Sequence, residues 1–108
     1  MKTQSSGANC AKYPNIDTIT ELKYYYKEHY PERHFFDKSS TQFFDTKYMK
    51  VKTVGNKVYL LHNDKRCFED YRREYKIRSF DFDTDFFCDT IFKSYDKETA
   101  LQYFRNLK

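Results

Sequence analysis

Three cysteines, three histidines and a run of alternating aspartates are the residues here with chemistry to offer. Cys10, Cys67 and Cys88 are odd in number and form no CxxC pair. Met1 to Lys12 has no apolar leader, so the chain reads as cytosolic, where disulfides are rare. A Cys3His zinc set could be completed by His29, His34 or His62, but structural zinc sites bring their ligands in close pairs and these are scattered. No metal is expected. Asp81-Phe-Asp83-Thr-Asp85 opens like an EF-hand loop, yet Phe86 and Phe92 stand where such a loop needs Gly and Glu. A polar hairpin turn is the better reading.

Nucleophilic catalysis is equally poorly provided for. Cys67 follows His62 by five residues, which is no signature. GxSxG, Walker A, HExxH and GxGxxG are all absent. Gly7 and Gly55 are the only glycines, too few for a phosphate cradle. The sequence therefore points to a protein that is not an enzyme and uses no cofactor.

The positive signal is charge. Residues 47–78 carry 10 basic and 4 acidic residues, against 2 basic and 6 acidic over 79–98. Lys50 and Lys52 alternate on one segment, Lys76 and Arg78 on another, and Arg66, Arg72 and Arg73 lie between them. If the two faces coincide, these cations line one surface with Tyr48 and Phe80 among them. Such a surface suits single-stranded nucleic acid, by phosphate attraction and base stacking. It suits an acidic protein face equally well, and lysines also simply solvate a sheet. Tyr24, Tyr25, Tyr26 and Tyr30 wrap round a helix, so some must be exposed, as tyrosines at protein interfaces are. The expected partner-binding set is Lys50, Lys52, Arg66, Arg72, Arg73, Lys76, Arg78, Tyr24, Tyr25 and Tyr48.

These residues need elements to hold them. Residues 1–15 read as a flexible tail and 16–108 as one domain. Thr18-Ile-Thr-Glu21 has capping-box spacing, and Ile19, Leu22, Tyr26 and His29 follow at helical intervals until Pro31, with Lys23 and Lys27 off that face. Asp37 or Ser39 could cap a short helix burying Phe43 and Phe44. Residues 48–54 and 57–62 read as a hairpin turning at Gly55-Asn56, with 63–70 a loop. Residues 73–80 and 86–92 alternate as two further strands. Ser94 or Asp96 caps a last helix with Ala100, Leu101, Phe104 and Leu107 in register. This predicts an α+β fold, a four-stranded antiparallel sheet with N- and C-terminal helices packed on one face. Of the 22 aromatic residues, Phe is expected mostly in the core and Tyr mostly at a basic surface. No apolar run nears the roughly 20 residues that span a bilayer.

His34-Phe35-Phe36-Asp37 with Thr41-Gln-Phe43-Phe44, and Arg72-Arg73-Glu-Tyr75-Lys-Ile77-Arg78-Ser-Phe80-Asp81 with Asp89-Thr90, resemble motifs of a family of small uncharacterised phage and mobile-element proteins. The likeness spans about residues 34–107; it departs at Asp85, where that family has Gly. The resemblance implies no enzyme activity. It implies a phage-type protein in the host cytoplasm that inhibits a host defence nuclease, as anti-CRISPR proteins do, by binding the nuclease or its guide-RNA complex. Direct nucleic-acid binding is the alternative, and no membrane partner is implied.

Overall fold

The first helix begins where its amides find partners. In the computed structural model, which describes residues 13–36, 44–66 and 72–108, the Thr18 hydroxyl accepts from the Glu21 amide at 3.1 Å. The Glu21 carboxylate accepts from the Thr18 amide at the same distance. This closed capping box starts α1 (Ile19–His29). Leu22 and Tyr26 are buried, whereas His29, expected on the same face, is exposed and stacks on Tyr25 at 4.0 Å. Asp37 and Ser39 lie outside the described residues; Phe44 opens a strand.

Four strands follow, β1 (Phe44–Val54), β2 (Lys57–Arg66), β3 (Glu74–Asp81) and β4 (Cys88–Ser94), in that order across one antiparallel sheet. Gly55, at φ +61°, turns β1 into β2. The Asn56 amide beside it donates to Asp81 at 3.1 Å and Asp83 at 2.9 Å, tying this hairpin to the next turn. β2 runs on through residues 63–66, expected as loop, because Asn63 and Asp64 find partners there: Asp64 accepts from the Thr46 hydroxyl at 2.8 Å. α2 (Lys97–Arg105) is capped by Asp96, whose carboxylate accepts from the Thr99 amide at 3.0 Å.

The sheet class is as expected, but the helices do not share a face. α1 packs with Val51, Val58, Leu60 and Phe80, while α2 packs with Tyr59, Leu61 and Ile77. Residues 58 to 61 are all apolar, so consecutive side chains put apolar surface on both faces of β2, and each needs a cover. Among the described residues no helix is long and apolar enough to cross a membrane.

The α1 side is a nest of rings. Phe86 is wholly buried at its centre, within 6.2 Å of Tyr25, Tyr26, Tyr30, Phe80 and Phe82. It holds φ +51°, a left-handed backbone that a bulky residue rarely takes. Tyr13, within the stretch read as tail, stacks on Phe82 at 5.4 Å.

Two substitutions separate packing from backbone strain. Phe86→Ala removes the central ring and is expected to cost about 3–5 kcal/mol. Gly55→Ala meets no atom within 4 Å, so it should cost only the left-handed strain, about 1–2 kcal/mol. Urea unfolding of the two variants measures both.

Candidate functional site

The two basic strand segments face opposite ways. Lys50 and Lys52 pair with Leu61 and Tyr59, on the α2 side, and Lys76 and Arg78 pair with His62 and Leu60, on the α1 side. A bulge between Tyr48 and Lys50 separates the tyrosine from the lysines that simple alternation would put beside it. Lys52 lies 5.2 Å from the Phe104 ring centre and donates to the Arg105 carbonyl at 3.3 Å. Lys50 is exposed. Arg73 pairs with Asp45 and donates to the Asn63 side chain at 2.7 Å. Arg72 is exposed, 4.3 Å from the Tyr95 ring centre. Arg66 ends β2, paired with Phe44.

Lys76 and Arg78 are occupied inside the fold. Arg78 Nε donates to His62 Nε2 at 3.0 Å, which leaves the His62 proton on Nδ1, 3.3 Å from Asp64 Oδ1. Lys76 Nζ sits 2.9 Å from the other Asp64 oxygen. Burial opposes ionisation of Asp64, yet hydrogen bonds from His62, Lys76 and Thr46 outweigh it and hold the carboxyl well below the usual range. Arg78 also reaches Cys88 Sγ at 3.7 Å and lies 5.4 Å from the Phe35 ring centre. Burial pushes the Cys88 thiol up despite Arg78, so it stays protonated and is a poor nucleophile. Cys10 and Cys67, the other zinc candidates, lie outside the described residues, among which no three His, Cys, Asp or Glu side chains cluster.

Compared with protein families, with curated proteins and with solved structures, the chain matches none.

Cations and accessible rings do meet, but on α1. Tyr24 points straight out, 67 % exposed, while Tyr25 leans onto Phe82 and Phe86. Tyr48 is half-buried, its ring 5.0 Å from Lys23 Nζ and 5.4 Å from Phe36. Beyond the helix, Arg33 spans two elements. Its guanidinium donates to the Asp85 carbonyl at 2.7 Å, pairs with the Asp85 carboxylate, and lies 4.5 Å from Tyr30 and 5.8 Å from Phe87. Phe87 is 63 % exposed. Behind Arg33 a groove of about 360 Å³ opens between α1 and residues 31–36, with Lys23, Lys27 and Arg33 as its cations and Tyr26, His34 and Phe36 as its rings.

Sequence reasoning passed over Lys23, Lys27, Arg33 and Phe87. The lysines did carry a signal, two like charges one helical turn apart with no acid at helical spacing from either. Arg33 and Phe87 carried none, because their meeting depends on the β3–β4 turn folding back under α1.

Asp64 should make the acid side of the stability profile steeper. Its folded pKa lies below its unfolded value of about 4, so its contribution is present above about pH 4 and lost as pH falls through the folded value. Asp64→Asn is expected to cost about 2–3 kcal/mol at pH 7 by stranding Lys76 and His62. That deficit should shrink steadily below pH 4 in thermal melts across pH.

Proposed function

We propose that this is a non-enzymatic binding protein that docks on a host defence nuclease and inhibits it, a CRISPR effector or its guide-RNA complex foremost, in the host cytoplasm. The class of partner comes from the resemblance to phage and mobile-element proteins. The docking surface comes from one observation: Tyr24 and Phe87 stand exposed on the same side of the sheet as Lys23, Lys27 and Arg33. Tyrosine, phenylalanine and arginine are the residues enriched at protein interfaces, and Tyr and Arg at their hot spots. Three cations, Lys23, Lys27 and Arg33, with no acid among the groove's described lining residues, favour an acidic face on the partner.

Of the residues expected to bind, Tyr24 belongs to this surface and Tyr25 and Tyr48 support it from beneath. Lys50, Lys52, Arg72 and Arg73 lie away from it and could serve only a second contact. The direct nucleic-acid reading loses its platform, since it rested on a cationic sheet face with rings free to stack. Each face of this sheet is packed against a helix.

The test uses cells carrying an active defence nuclease, challenged with phage or plasmid while the chain is co-expressed. Survival should be restored, and the purified nuclease should bind the chain directly. Tyr24→Ala with Phe87→Ala should weaken that binding about thirtyfold, the scale of one hot spot, without lowering the melting temperature. Failure to protect against any nuclease of a representative panel overturns the proposal. So does tight, salt-sensitive binding of DNA or RNA probes without a terminal phosphate that is unchanged in the double variant, which would restore the nucleic-acid reading.

A further inference from the structure

We infer that the groove beside α1 is a site for a single nucleotide, its phosphate held by Lys23 and Lys27 and its base laid on the Phe36 wall. The charge arrangement asks for an anion. Lys23 and Lys27 are one turn apart on the same helix, where like charges repel. No described carboxylate pairs with either. Glu21 is spent on the cap, accepting from the Asp17 and Thr18 amides at 3.0 and 3.1 Å, and Glu28, though next to Lys27 in sequence, is not at the three- or four-residue spacing that brings helical side chains together. Across the groove Arg33 adds a third charge, whose own counter-ion, Asp85, is not among the lining residues.

A bare anion would use only half of this site. Phe36 is held by Phe35 and Tyr26, both meeting it edge-on at 89°. Lys23 Nζ is 6.0 Å from its ring centre. A rigid ring next to a lysine is the pairing that holds a base by stacking and its phosphate by charge. The groove's volume, about 360 Å³, falls within the roughly 300–1,000 Å³ of small-ligand sites. A free nucleotide and the terminal nucleotide of an RNA offer this same chemistry.

The site goes beyond the docking proposal, which anchors on Tyr24 and Phe87 outside the groove and draws on the groove's lysines only for their charge; loss of nucleotide binding with docking retained, or the reverse, therefore separates the two. Calorimetric titration of the full chain with adenosine 5′-monophosphate, adenosine and inorganic phosphate reads the two halves of the site. The monophosphate should bind at least about tenfold more tightly than adenosine or phosphate alone, and Lys23→Gln with Lys27→Gln should remove about tenfold or more of that affinity. Both lysines are exposed, so circular dichroism should show the fold unchanged. A short RNA carrying a 5′-phosphate, compared with its 5′-hydroxyl form, separates the sources. Preference for the phosphorylated RNA assigns the site to an RNA end, and binding of the mononucleotide alone assigns it to a free nucleotide. Equal binding of adenosine and its monophosphate, no binding of the monophosphate, or undiminished binding in the lysine variant overturns the inference.

Discussion

The molecule turns on one ring in an awkward place. Phe86 is fully buried, yet its backbone is left-handed, a conformation that costs a side chain with a Cβ about 1–2 kcal/mol. The rings around it outweigh that cost. Tyr30 lies parallel to Phe86 at 5.8 Å, Phe80 stacks at 5.0 Å, and Tyr25 tilts in at 4.9 Å. Because β4 starts two residues later, the same turn that buries Phe86 throws Phe87 outward. α1, the β3–β4 turn and the exposed ring are therefore one construction: Phe86 is the ring through which Tyr25, Tyr26 and Tyr30 meet the turn, and Asp85, the residue before it, anchors Arg33.

The sheet distributes charge by a different constraint. Two bulges, one between Tyr48 and Lys50 and one opposite Ile77 and Arg78, interrupt strict alternation in the outer pairings. An extra residue reverses which face the rest of a strand presents. On β1 this sends Tyr48 to the α1 side and Lys50 and Lys52 to the α2 side. The lysines then guard an open edge strand, a usual defence against unwanted strand pairing. Lys76 and Arg78, turned the other way, are drawn into a buried network with His62 and Asp64. The basic middle of the chain is thus divided between edge protection and internal neutralisation, and its net charge says little about any one surface.

What could be read in advance was local. The Thr18–Glu21 box, the Gly55-Asn56 turn and the Asp96 cap each depend on a few consecutive residues, and their elements begin where the sequence placed them. The antiparallel sheet followed from alternation. Features that depend on pairing across strands were not legible: the bulges, the strand character of Asn63–Arg66, and the second covered face, which the run Val58-Tyr-Leu-Leu61 hinted at. The division of Phe for the core and Tyr for the surface held only in part. Tyr26 and Tyr59 are buried and Phe87 is not. A tyrosine ring buries nearly as much surface as a phenylalanine, and backbone geometry at the turn decides which ring goes inside.

Arg33 connects that core to the surface outside it. It stacks against Tyr30, whose other neighbours include Phe86; it holds Asp85, at the turn that fixes Phe86; and it lines the groove beside Lys27. A guanidinium suits this position better than an ammonium, because its plane lies on a ring while its edge donates to the Asp85 carbonyl and carboxylate together. Held in this way, Arg33 surrenders little side-chain freedom when something binds beside it, and so does Phe87, whose ring it flanks. Pre-ordered groups contribute more of their contact energy to binding than loose ones do. In a chain with few aliphatic residues, the aromatic nest thus does two things with the same contacts: it closes the core, and it stiffens a surface where exposed rings and the α1 lysines come together.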